Sequence, residues 1–352
     1  MSDVTVLVLH QQAPADAGPL MVALDEARRQ LASRHVTRFL AAGATAALLV
    51  EETDDLPFGA RLRRLATALR TSGIVVLGSG ALALAGTADY RAFVAAAGGR
   101  APQVLTNNRF SADVIAVAGG AILRDVPDLP TDNALPRWLE EVAGYPVVDL
   151  RRRRHLGVDL DSPADLLLVG HPLPAAAAAS PLPSRLVAVQ AVLADRRAEL
   201  MVAGRTSAGT LALLERRAAC RVRALVEERG LRAATSLAMS HRPVRDDRPP
   251  ASALGLLLDL AGPEALGRLL TRLGEAAVVD TRVLLAHRLG PDEHRWPKAE
   301  DRFASDLLLP ERIADPWLRS LTAAAHSAAI PILLGGHTLV GPGLPLLAGG
   351  AR

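Results

Sequence analysis

Cysteine is nearly missing from this chain: Cys220 is the only one in 352 residues. That excludes an intramolecular disulfide and any metal site built from several cysteines, and it fits a reducing compartment. Cys220 lies in an Ala-rich helical pattern and reads as a small core residue; the alternative is an exposed thiol activated by Arg217 and Arg221. Lysine is as scarce, with Lys298 alone among 40 basic residues. Aromatic residues make up 3%, so the Tyr and Trp that commonly anchor interfaces are in short supply and a binding site must draw on backbone groups and arginine. No apolar stretch approaches the roughly 20 residues of a membrane span, and the N-terminus has no charged region followed by a cleavable apolar run. The expectation is a cytoplasmic protein without a membrane partner. Although the pI is 9.7, net charge is only +3, and acids are interspersed with the arginines. The long basic face of a nucleic-acid binder is therefore not expected.

Hydrophobic residues make up half of the sequence, ample for cores, and the length exceeds the roughly 250–300 residues at which single cores stop growing. Two domains are expected. In the first, apolar runs at 4–9, 45–50, 74–77, 113–118, 147–150 and 156–160 read as strands, and 19–42, 58–70, 87–97 and 136–143 read as helices. This alternation predicts an α/β domain over 1–170 with a mostly parallel, Rossmann-like sheet, whose ligands bind at the carboxyl ends of the strands. Candidate loops are then 10–18, 51–57 (with Glu52, Asp54 and Asp55), 78–86 and 106–112. Residues 171–183, rich in Pro and Ala, read as a linker. Residues 184–352 read as mainly helical, over 184–202, 207–229, 250–273, 275–288 and 313–328, with 277–285 and 330–334 open to a strand assignment. The Ser240–Pro250 loop, bearing Arg242, Arg245 and Arg248, is expected to be exposed.

One local sequence suggests a chemistry. Val158-Asp159-Leu160-Asp161-Ser162-Pro163-Ala164-Asp165-Leu166 resembles the I-D-I-D-T-P-E-D-L segment that closes the core of GT-A-type nucleotidyltransferases, most closely the guanylyltransferases of molybdenum-cofactor and F420 synthesis. The resemblance covers the first half of the chain. It implies a GT-A fold, a nucleotide or other phosphorylated small molecule as partner, and Mg²⁺ held at Asp159 or Asp161. The reaction it implies is attack by a substrate phosphate on the α-phosphorus of a nucleoside triphosphate. The family's Gly-rich loop and following lysine are replaced here by His10-Gln11-Gln12-Ala13-Pro14-Ala15-Asp16-Ala17-Gly18, and its central-strand aspartate by Leu77-Gly78-Ser79-Gly80-Ala81-Leu82.

Read from the residues themselves, Asp159 and Asp161 alternate along an expected strand and share a face, as two ligands of one cation would. The same segment is also a helix start, with Ser162 as N-cap and Pro163 at the first helical position. Ser79 and Gly80, in a Gly-Ser-Gly turn, let backbone N–H groups approach an anion or simply turn the chain. Asn107 and Asn108 offer amides to a base or sugar, and Arg109 a fork to phosphate; Asn-Asn is equally good turn chemistry. Arg153 and Arg154, in the run of four arginines at 151–154, either clamp phosphates or form a solvated edge.

In the second half, Asp280 and His287 fall seven apart on an expected helix, with Glu300, Asp301, Asp306 and His337 as further donors. A metal-dependent hydrolase is the reading they allow, against solvated charges and a core histidine. Gly335-Gly336-His337-Thr338 reads as a loop able to carry function. The leading expectation is nucleotide or nucleotide-activated metabolite binding, with nucleotidyl transfer as its catalytic form. The competing one is a non-catalytic regulatory protein in which the Ala/Leu-rich second half mediates homo-oligomerisation.

Overall fold

A computed structural model describes residues 3–51, 56–69, 71–229 and 250–349. The acidic residues Glu52, Asp54 and Asp55, and the arginines Arg242, Arg245 and Arg248, lie outside the described residues. The chain divides into two compact units, 1–15 with 25–160 and 16–24 with 161–352. Among the described residues, no helix is long and apolar enough to cross a membrane.

The first unit is a six-stranded sheet of order β2-β1-β3-β5-β4-β6. Its strands are β1 (Val4–His10), β2 (Ala46–Glu51), β3 (Gly73–Gly78), β4 (Gln103–Thr106), β5 (Val114–Ala118) and β6 (Val147–Asp149). Pairing is parallel except where β5 runs against β3 and β4. Continuous apolar runs in β1, β3 and β5 are what a sheet covered on both faces requires. Successive side chains alternate between two cores. Val4, Val6, Val8, Val75 and Leu77 pack with Phe39 of α1 (Pro19–Ala41) and with Tyr90 and Phe93 of α3 (Thr87–Ala97). Leu7, Ile74 and Val76 pack with Leu62 of α2 (Phe58–Ala68) and with Trp138 and Leu139 of the helix Leu135–Glu141.

The sequence reading omitted β4, only four residues long, and it made 156–160 a strand. That segment is instead a turn, Arg154–Gly157, followed by extended chain outside the sheet. Leu156, Val158 and Leu160 are buried as a strand pattern predicts. The backbone partners, however, lie in the loop after β3: Leu160 N donates to Gly80 O at 3.1 Å and Ala83 N to Val158 O at 3.4 Å. Apolar alternation was satisfied without a ladder.

His35, fully buried on α1, joins this loop to α3. Its Nε2 lies 2.8 Å from Ala81 O and its Nδ1 2.9 Å from Tyr90 Oη. A carbonyl can only accept, so neutral His35 carries its proton on Nε2 and Nδ1 accepts from the phenol. Burial, assisted by Arg34 and Arg38, lowers the His35 pKa to about 4; burial also lowers that of His10. Below the ordinary value near 6.5 the unfolded chain takes up protons that these folded rings refuse, so stability is full above pH 6.5 and falls as pH drops toward 4. For His35 the slope should approach about 1.4 kcal/mol per pH unit. Urea midpoints of the first unit measured from pH 7 to pH 5 test this, and a flat profile would refute it.

The second unit is rich in helix, as its sequence suggested, but its helices accompany a parallel sheet that was not expected, so it is an α/β unit. Four parallel strands, β7 (Glu199–Gly204), β8 (Arg221–Val226), β9 (Ala276–Asp280) and β10 (Ile332–Gly335), lie in the order β10-β9-β7-β8. The expected helices over 184–202, 207–229 and 275–288 each resolve into a helix and a strand: Leu182–Ala194 then β7, Ala208–Arg217 then β8, and β9 then Thr281–Leu289. β9 and β10 are buried along their whole length, whereas β8 is an edge whose Arg223 pairs with Glu199 at 3.0 Å. Charge on an exposed edge discourages pairing with another chain. Residues 171–183, expected as a linker, belong to this unit. Ala177 and Leu182 are buried, and Ser180 Oγ donates to Leu307 O at 2.6 Å. Cys220 is buried, and burial raises its thiol pKa.

Candidate functional site

In the first unit a cleft of about 220 Å³ opens at the carboxyl ends of β1 and β3. His10 and Gln11 come from the end of β1, Phe58 and Arg61 from α2, Gly78 from the end of β3 and Asp113 from the approach to β5. Thr131 and Asp132 complete the rim. A Cβ on Gly78 would meet nothing within 4 Å, so the backbone there borders open space. Asp113 stands beside it through the Gly78 N to Asp113 O bond of 3.2 Å. The antiparallel β5 thus delivers a carboxylate to the end of the central strand, where β3 itself supplies none.

Most residues singled out from sequence line the support of this cleft rather than its interior. Ser79 Oγ lies 3.0 Å from His10 Nδ1, and His10 Nε2 lies 3.3 Å from Asp25. This is a serine-histidine-aspartate chain, but Ser79 and His10 are both buried. It fixes the turn. The backbone cradle expected there is also consumed: the N–H groups of Gly78, Ser79 and Ala81 donate to Asp113 O, Leu9 O and Gly78 O. Gly80 is needed for close approach, because a Cβ would fall 2.5 Å from Asp159 Oδ1.

Asn107 spends its amide inside the fold, donating to Asp113 Oδ2 at 2.6 Å and Leu156 O at 3.1 Å and accepting from the N–H groups of Asp113 and Val114. It positions Asp113. Asn108 Oδ1 accepts from Phe110 N, closing a local turn. Arg109 pairs with Glu140. Arg153 pairs with Asp89 at 3.0 Å, and His155 Nε2 meets the same carboxylate at 2.8 Å. Burial would raise Asp89, but the His155 bond, the Gly86 N–H and Arg153 outweigh it and hold this carboxyl below the usual range. Arg154, half-buried in its turn, has an interaction of its own. The arginine run therefore serves the start of α3 in part, and is not a phosphate clamp assembled as such.

Asp159 belongs to the first unit and Asp161 to the second. Their shared strand face does not exist, since residues 158–161 are outside any strand. Among the described residues no three His, Cys, Asp or Glu side chains converge to hold a metal. The second-half donors are dispersed as well. His287 Nδ1 accepts from Ser252 N and Nε2 meets Asp259; Glu300 accepts from Leu20 N and Met21 N; Asp301 accepts from Ala314 N and Asp315 N. At the 161–165 turn Ser162 Oγ accepts from Ala164 N at 3.3 Å, as an N-cap does, and the Asp165 carboxylate reaches back to the N–H groups of Asp161 and Ser162 at 2.9 and 2.8 Å. Burial, with Asp161 and Asp306 nearby, raises its pKa well above the ordinary carboxylate value.

The second unit gathers its own polar cluster at the carboxyl ends of β7, β9 and β10. Asp280, which ends β9, accepts from Arg205 Nε at 2.6 Å and Nη2 at 3.1 Å, and from Arg282 N at 3.1 Å. Burial opposes ionisation, yet Arg205 outweighs it and lowers the Asp280 pKa. Arg282 forks onto Asp306, with Nη2 2.7 Å from Oδ2. His337 Nδ1 lies 3.0 Å from Arg205 O and must donate to it, which leaves Nε2 as an acceptor in the neutral ring. Burial and then Arg205 lower the His337 pKa. Sequence reasoning named Asp280, Asp306 and His337 but missed Arg205 and Thr206. The signal was available: an apolar run ending in Gly204 and followed by Arg-Thr-Ser-Ala-Gly-Thr is a strand, a polar turn and a helix start.

Compared with known proteins, the chain matches no family model and no curated protein.

Proposed function

We propose that the first unit is a divergent GT-A-like, Rossmann-related domain that binds a nucleotide or another phosphorylated small molecule. The observation that carries this reading is the cleft at the carboxyl ends of β1 and β3, where ligands of open α/β sheets bind. Of the lining residues, Arg61 is the cation this reading assigns to phosphate, Phe58 the ring it assigns to a base, and Gln11, Asp113 and Asp132 the groups it assigns to a sugar or base edge. The volume is below the roughly 300–1,000 Å³ of a site for a whole drug-sized ligand, so the cleft takes one moiety and the rest lies along its mouth. Absence of a Gly-rich loop and lysine, together with Ser79, Asn107 and Arg109 being engaged within the fold, weighs toward binding over nucleotidyl transfer. That favours the second reading of a non-catalytic regulatory protein over the enzyme.

Among the described residues no group of three His, Cys, Asp or Glu side chains makes a preassembled metal site. Magnesium enters this reading only as the companion of a nucleotide's phosphates, with Asp159 as the first-unit carboxylate the resemblance assigns to it. Thermal-shift titration with GTP, CTP, ATP and UTP, with and without Mg²⁺, tests the proposal. A ligand at a hundred times its Kd should stabilise the folded state by about 2.7 kcal/mol, and Arg61→Ala should weaken the response about tenfold or more. No shift with any of the four would remove the nucleotide reading.

A further inference from the structure

The sheet of the second unit has a topological switch. From β7 the chain crosses to β8 on one side, and from β8 it returns past β7 to β9 on the other. In parallel sheets the crevice beyond the strand ends at such a point is where ligands bind. Here the switch point lies between the strand ends that lead into Gly204 to Thr210 after β7 and Asp280 at the end of β9. We infer that this turn is a second ligand site, which takes the phosphate group of a small phosphorylated molecule.

Four observations meet there. First, the turn leads into the N-terminus of a ten-residue helix, Ala208–Arg217, with Ser207 as N-cap accepting from Thr210 N. A helix start presents N–H groups and the positive end of the dipole to an anion. Second, Thr206, one residue ahead of the cap, is 7% exposed, and among the described residues its Oγ1 is buried with no hydrogen-bond partner. A buried hydroxyl left unmade is costly, and a ligand oxygen would satisfy it. Third, Asp280 accepts from Arg205 Nε and Nη2 as well as from its backbone N–H, so the fork is held in one geometry, and a guanidinium has five N–H donors to share between this carboxylate and an anion. The Arg205 side chain keeps 19% of its exposure. Fourth, Gly209 occupies the second helical position, where the lack of a Cβ lets an anion approach the first-turn amides. Gly204-x-x-x-x-Gly209 at a strand end has the glycine spacing of a phosphate loop, but Thr210 stands at its lysine position and Leu211 at its hydroxyl position; Arg205 supplies the cation instead.

The site lies in the unit not used by the nucleotide proposal and stands or falls separately. The test uses the full chain with inorganic phosphate and pyrophosphate as probes, in calorimetry at ionic strength matched with sodium chloride. Saturable binding is expected. Thr206→Ser should keep it within about threefold, while Thr206→Val should weaken it about tenfold or more, as loss of one hydrogen bond to a charged group predicts. Without ligand, Thr206→Val should melt no lower than the parent, since it removes an unpartnered polar atom. Hydrogen–deuterium exchange on the unsubstituted protein gives a readout independent of any variant: pyrophosphate should slow exchange over 204–210. No saturable heat at 20 mM probe, equal affinity in Thr206→Val, or slowing confined to the first unit would each overturn the inference.

Discussion

Replacing Asp306 with alanine should destabilise the second unit by about 3–5 kcal/mol, the usual cost of removing one member of a buried ion pair. The Asp306 side chain is fully buried and that of Arg282 is 10% exposed. The guanidinium also donates to Thr281 Oγ1 at 2.8 Å, and Thr281 Oγ1 in turn donates to Gly335 O at 3.2 Å. Asp306 raises the Arg282 pKa despite the opposing effect of burial. Once the carboxylate is gone, Arg282 stays charged in a low-dielectric setting, and the bonds that link the start of the helix after β9 to the end of β10 lose their anchor. For a unit of this size the loss corresponds to a fall in Tm of roughly 6–20 °C. Differential scanning calorimetry measures it directly. The double variant Arg282→Met/Asp306→Leu should recover most of the loss, because an apolar pair of similar volume has no unpaired charge to bury. A loss below about 1 kcal/mol for Asp306→Ala alone would show that water reaches the pair.

Gly204→Ala should cost roughly 2–5 kcal/mol, from two causes that add. The residue sits at φ 127°, a left-handed conformation that penalises an L side chain by about 1–2 kcal/mol. A Cβ there would also fall 2.2 Å from the Asp280 Cβ, and overpacking adds about 1–3 kcal/mol. Relief requires β7 and β9 to separate at their carboxyl ends, which would pull Asp280 from Arg205. Urea denaturation gives the loss in stability, and pyrophosphate calorimetry on the folded variant should show weakened binding in parallel. A variant with unchanged midpoint would mean that the turn relaxes without disturbing the strands.

The helix 87–97 and the central strands of the first unit were legible because each is a long or continuous apolar pattern bounded by clear stops. β7 was not. Leu200 to Ala203 follow a helix built mostly of Leu, Val and Ala, and in so Ala/Leu-rich a stretch a short apolar run suits either structure. Pairing with β8 and β9 decided it, and those partners lie far along the chain. The candidate sites show a similar division. Polar density at 106–113 marked a place where side chains matter, yet whether Asn107 meets a ligand or its own fold depends on Asp113 and Leu156 being within reach. Arg205 and Asp280 are 75 residues apart, and no local pattern ties a guanidinium to a carboxylate at that distance. The Asp-x-Asp motif misled for a physical reason: buried Leu156, Val158 and Leu160 produce strand-like alternation wherever extended chain lies on a core.

The Glu300 carboxylate that holds the amides of Leu20 and Met21 has a consequence for how this protein emerges from the ribosome. The bond joins residues 280 apart, and at roughly 5–20 residues per second the segment 16–24 waits on the order of 14–56 s for its acceptor to be made. Residues 25–160 are complete long before then. The nascent chain should therefore expose Leu20 and Leu24, both buried in the finished fold, through most of synthesis. The 16–24 segment can reach its final place in the second unit only once Glu300 has been made.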